Sequence, residues 1–119
     1  MERAEPELTS AHGRITIAPA VIAQIVAQTA GRCYGVVGIA GGAKARVGRF
    51  LPRNRTQGIS VAAGEVGVEI ELNVVVEHGL NLAEVAATIR SQVQYEVERL
   101  TGLRVASVGV RIQDVRQSA

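Results

Sequence analysis

Glu77 and His78 stand side by side, and a carboxylate next to an imidazole has the makings of a general-base pair. The residues leading into them, Val74-Val75-Val76, have an extended pattern, and neighbours in an extended chain point to opposite faces. His78 is therefore read as a solvated turn residue. Glu69 and Glu71 do share a face, as paired carboxylates must. On an open strand they read as a solubilising surface, or as ion-pair partners for Arg111. Cys33 falls on an apolar stripe with only Arg32 as a basic neighbour, the setting of a small buried hydrophobe rather than a nucleophile. The other histidine, His12, lies near the N-terminus, so no convergent His, Cys and carboxylate set is spaced for a metal. Gly35-Val36-Val37-Gly38 matches the GxxG of a nucleic-acid-clamping loop, but that loop joins two helices, and this one leads into an apolar strand. No Walker or dinucleotide fingerprint is present. These residues assign no catalytic group, metal or cofactor, and they predict a protein that is not an enzyme.

One cluster has functional promise. Lys44, Arg46, Arg49, Arg53 and Arg55 follow one another with no acidic residue between them and surround Phe50 and Leu51. Such a cluster suits an anionic membrane surface or an acidic protein, each basic residue contributing about 1 kcal/mol near anionic lipid. It would also suit phosphates of nucleic acid, which makes a small nucleic-acid-binding regulator the alternative. Aromatic content of 3% leaves almost no platform on which bases could stack, so nucleic acid takes second place.

The elements that position these residues are organised around residues 65–77. Val66, Val68, Ile70, Leu72, Val74 and Val76 alternate with Glu65, Gly67, Glu69, Glu71, Asn73 and Glu77, and Val75 alone breaks the alternation. A period of two gives a strand with one apolar and one acidic face, about twice the usual length of five or six residues. A strand this long belongs at the centre of a sheet, because a long exposed edge invites aggregation. Before it, Arg14–Ile17 alternate as a short strand, and Pro19 suits the first turn of a helix. Ile22, Ile25, Val26, Thr29, Ala30 and Cys33 give that helix one apolar stripe. Gly35–Ile39 form a strand, residues 43–57 a loop carrying the basic cluster, and Ile59 and Val61 a strand that turns into the long one as a hairpin. Asn81 and Glu84 are spaced as a capping box for a second helix with Leu82, Val85, Ile89, Val93, Val97 and Leu100 on its buried line. Gly102 ends it. Val108, Val110 and Ile112 mark the last strand.

The predicted order is β-α-β-loop-β-β-α-β. This is an α+β two-layer sandwich, two amphipathic helices packed on one face of a mainly antiparallel or mixed sheet. Residues 1–11 read as a flexible tail and 12–116 as a single domain. The length of 119 residues, 47% apolar and 20% charged, supports one core of aliphatic side chains. A single cysteine, a charged N-terminus without an apolar h-region, and no stretch approaching about 20 apolar residues predict a cytoplasmic chain without a membrane span.

Four segments carry a resemblance: Gly13-Arg-Ile-Thr-Ile-Ala-Pro-Ala-Val-Ile22, Tyr34-Gly-Val-Val-Gly-Ile39, Val74-Val-Val-Glu-His-Gly-Leu-Asn-Leu-Ala-Glu-Val-Ala86 and Val97-Glu-Arg-Leu-Thr-Gly-Leu-Arg-Val-Ala-Ser-Val-Gly-Val-Arg-Ile-Gln-Asp-Val115. Together they resemble the alkaline shock protein family of bacterial general-stress and envelope-stress proteins, over about residues 13–116. The chain departs from the family pattern at Ala18, where Ser is usual, and in its longer, arginine-rich middle loop. The resemblance implies a non-enzymatic interaction and assembly protein, cytoplasmic or peripheral at the inner face of the membrane. It also implies homo-oligomers, and attachment through a membrane-anchoring partner. On this reading the open sheet face, with Glu69, Glu71, Asn73 and Arg111, is the expected self-association surface. Lys44, Arg46, Arg49, Phe50, Arg53 and Arg55 are expected to meet the membrane or an acidic partner.

Overall fold

A computed structural model describes residues 8–9, 16–40, 55–56 and 58–117. In chain order the elements are β1 (Leu8–Thr9), β2 (Thr16–Ile17), α1 (Pro19–Gly31), β3 (Val36–Ile39), β4 (Arg55–Thr56), β5 (Ile59–Ala63), β6 (Val68–Glu77), α2 (Leu82–Thr101) and β7 (Val105–Arg116). The α+β sandwich expected from the sequence is the fold observed, and β6 is its spine.

One edge of β6 is covered along its whole length by β7, in parallel from Val68↔Val105 to Glu77↔Arg116. A parallel neighbour needs a crossover, and α2 supplies it. The other edge is shared end to end. β5 pairs antiparallel with residues 68–72, and β3 pairs antiparallel with residues 74–76. The handover falls at Asn73, whose N–H donates to the Gly58 carbonyl (3.0 Å) while its carbonyl accepts from Ala40 N–H (2.9 Å). Its side-chain Nδ2 donates to the same Gly58 carbonyl at 3.3 Å. Gly58 has φ 87°, and a β-carbon there would collide with the Ala40 carbonyl oxygen. Only glycine fits where the two strand ends abut.

Both helices lie on the face carrying Val68, Ile70, Leu72, Val74 and Val76, and these join Ile22, Ala23, Val26, Ile89, Val93 and Val97 in one core. Each buried Val, Ile or Leu side chain contributes about 1.5–3 kcal/mol. Pro19 opens α1, Ala18 supplies no side-chain cap, and Ile22, Ala23, Val26, Thr29 and Ala30 are buried along one stripe. In α2 the Asn81 Oδ1 accepts from Glu84 N–H at 3.1 Å, and Gly102 closes the helix at φ 75°.

Several expectations are corrected. The long strand begins at Val68, not Glu65: residues 65–67 form the hairpin bend, and Val66 is 69% exposed. Glu84 makes no return bond, so the capping box is half formed. Leu82, at the first turn of α2, is exposed, and so is Leu100, because Thr101, four residues past Val97, takes the inward position that Leu100 was assigned. Thr101 is satisfied there, donating to the Val97 carbonyl at 2.6 Å and accepting from Leu103 N–H at 3.1 Å. Leu8–Thr9 pair with β2, so the expected tail contains a strand, and β2 joins it in a separate two-stranded sheet rather than the main one. Arg55 and Thr56 form β4 against β5, where the sequence pattern predicts loop.

Candidate functional site

The face of the sheet away from the helices carries the polar half of the alternation. Glu69 and Glu71 are exposed on β6 and Asn73 is half-buried. Val75, also on this face, is buried yet stands outside the core cluster. The register of β7 sets their neighbours: Glu69 lies beside Ser107, Glu71 beside Gly109, Asn73 beside Arg111 and Val75 beside Asp114. The expected pairing of Arg111 with Glu69 or Glu71 is therefore corrected. A parallel strand entered through a bulge at residues 105–107 brings Arg111 level with Asn73 instead, and Arg111 makes no ion pair with another described residue of the protomer. No pattern in the sequence could have set that offset, which the bulge decides.

Glu71 takes up the space that Gly109 leaves. Its Cγ would lie 3.4 Å, and its Oε2 3.8 Å, from a β-carbon placed at Gly109. The carboxylate thus leans over β7 at Gly109. On the helix side of the sheet a groove of about 360 Å³ runs between α2 and β7, lined by Ala83, Ala86, Ala87 and Arg90 with Val108, Gly109 and Val110. A second depression of about 730 Å³ lies at the C-terminal end of α2, among Val66, Gln94, Glu98, Leu103 and Arg104. Its one carboxylate is structurally engaged, since Glu98 Oε2 accepts from Val105 N–H at 3.0 Å.

Among the described residues the remaining chemistry-bearing side chains do not converge. His78 is exposed in the turn after β6. The Cys33 thiol is half-buried and donates to the Thr29 carbonyl at 3.4 Å. Burial pushes its pKa up, and Arg32 opposes this only in part. Among the described residues no three His, Cys, Asp or Glu side chains gather as a metal site would require. No described helix is long and apolar enough to cross a membrane. Of the basic cluster, Lys44, Arg46, Arg49, Phe50 and Arg53 lie outside the described residues, and Arg55 opens β4 opposite Ser60. Ala40 and Gly58, which flank this part of the chain in the sequence, both bond the Asn73 backbone.

The model of the alkaline shock protein 23 family, described by a "cell envelope-related function", matches residues 7–117. The chain belongs to this family. The alkaline shock resemblance read from the four segments is thereby established, over nearly the whole chain. A similar relative is the uncharacterized protein YloU of Bacillus subtilis, 32% identical over 113 residues that cover 92% of this chain and 94% of YloU. Another, from Streptococcus pyogenes serotype M3, bears the name stress response regulator gls24 homolog; it is 31% identical across 92% of this chain, which spans 63% of that protein's length. Among solved structures the fold is similar to MamM CTD variants. One has a TM-score of 0.50 and 15% identity, covering 80% of this chain and 95% of the other. A second has the same TM-score and 16% identity, covering 94% of that chain. At that identity the likeness concerns the fold.

Proposed function

We propose that this protein acts in the cell-envelope stress response by binding and assembly rather than catalysis, held at the inner side of the cytoplasmic membrane. The observation that carries the reading is the family match across residues 7–117, with its cell envelope-related function. The name of the streptococcal relative, a stress response regulator homologue, supports the same direction. Two surfaces divide the work. The basic segment, Lys44 to Arg55, meets anionic lipid or an acidic anchoring partner, and the open sheet face with Glu69, Glu71, Asn73 and Arg111 serves self-association.

Co-sedimentation of the purified chain with anionic and neutral vesicles, at low and physiological salt, tests the first surface. Binding confined to anionic vesicles and weakened by salt is the expected result for direct contact. No binding to either moves the attachment to a protein anchor. Replacing Lys44, Arg46, Arg49, Arg53 and Arg55 together by Gln should abolish envelope association in fractionated cells and leave the Tm of the purified protein unchanged. Association that survives this replacement rules the basic segment out. Retention on DNA or RNA with a steep salt dependence would instead favour a nucleic-acid regulator.

A further inference from the structure

The outer edge of β7 is an open edge of the sheet: among the described strands β7 pairs only with β6. Which of its backbone groups face outward follows from β6. Asn73 directs its N–H and C=O toward β3 and β5, so its neighbours Leu72 and Val74 direct theirs toward β7. In a parallel ladder a residue bonds the two residues flanking its register mate. Leu72, level with Val110, therefore bonds Gly109 and Arg111, and Val110 points away. The same holds for Val108 and Ile112, level with Ile70 and Val74. Beyond them the edge is closed by a second bulge near Asp114, whose Oδ1 accepts from Val115 N–H at 2.8 Å. The free edge is thus a short window centred on Val110.

We propose that a second copy of this chain occupies this edge, the two β7 strands pairing antiparallel about a two-fold axis at Val110. The inference rests on the self-association part of the reading above and names its surface. Val110 then faces Val110 of the second copy, and Val108 faces the second copy's Ile112, so every outward N–H and C=O in the window finds a partner. Charge complementarity fixes the same register. Arg111 falls opposite Gly109 of the second copy, in the narrow kind of pair whose Cα atoms approach to about 4.5 Å. Gly109 has no side chain to obstruct it, and the Glu71 carboxylate already leans over that spot. An exposed arginine, with no ion pair among the described residues of its own copy, meets a carboxylate displayed at the matching position, twice by symmetry. On the helix side, Ala83, Ala86 and Ala87 leave room for the incoming Val110 and Ile112 side chains. The Arg111–Glu71 contacts select the register, while the backbone ladder and the valines hold the pair together.

Sedimentation equilibrium of the full chain, with circular dichroism as the folding control, tests this. The wild-type chain is expected to dimerise. Arg111→Glu or Glu71→Arg alone should weaken dimerisation by about tenfold or more through like-charge contact across the axis, and the double exchange should restore it. In a Cys33→Ser background, Val110→Cys should give a disulfide-linked dimer under mild oxidation. A chain monomeric at every concentration with no Val110→Cys cross-link overturns the proposal and leaves the edge to an extended peptide of another protein. A dimer indifferent to both single reversals, or not restored by the exchange, overturns it too while self-association itself stands. Loss of vesicle or envelope binding by a chain that still dimerises bears only on the basic segment.

Discussion

At the residue scale, two positions owe their identity to what surrounds them. Gly58 sits where β3 and β5 abut, in a backbone conformation that strains any larger residue and with the Ala40 carbonyl occupying the place of its β-carbon. Gly58→Ala should destabilise the domain by about 2–4 kcal/mol, read as a drop in chemical-denaturation midpoint at unchanged slope. Cys33 is the other. Burial raises its pKa, and Arg32 only partly offsets this, so the folded state holds the thiol proton more tightly than the unfolded chain does. The stability linked to this group is therefore complete below the ordinary thiol pKa and is lost as pH rises through the raised folded value. Alkylation of the native protein should be slower than that of a free thiol at mildly alkaline pH and should accelerate at higher pH than usual. A rate equal to the denatured chain's would show that the thiol is not shielded.

At the element scale, alternation identified β6 and its buried face from Val68 to Val76, but not where the strand begins. Val66 fits the pattern as well as Ile70 does, yet it lies in the bend before β6 while Ile70 is fully buried. Val66→Ser should change stability by about 0.5 kcal/mol or less, whereas Ile70→Ala should cost about 2–5 kcal/mol, both measured by denaturant titration. The same limit appears in α2. Heptad-like spacing offers both Leu100 and Thr101 to the core, and the hydroxyl wins because Val97 and Leu103 satisfy it there. Hydrophobicity alone ranks Leu100 first, the reverse of what is observed. Asn81 and Gly102, by contrast, were legible at once, since a cap needs only its own residue type and the adjacent backbone.

At the scale of the whole molecule, β6 makes the sheet narrow. With β3 and β5 sharing one edge end to end, β7 alone covers the other and is left with its own outer edge free among the described strands. The Asn73 junction brings together Ala40 and Gly58, which bracket the basic cluster in the sequence, on the same sheet as the acidic face. On the proposed reading, envelope contact and self-association should be separable by mutation, the glutamine replacements acting on the first and either single charge reversal, Arg111→Glu or Glu71→Arg, on the second. The sequence by itself determined the types of the main elements though not the short strands β1 and β4, the two-layer class, the family and the absence of a legible catalytic set. Each of these depends on residue identity and on spacing within one segment. The tertiary structure decided the offset of β7 against β6, which turned Arg111 from an expected partner of Glu71 into a neighbour of Asn73. It also decided that β3 and β5 meet at Gly58. Register between distant strands depends on bulges and on the packing of α2 across the sheet, and no local pattern encodes it.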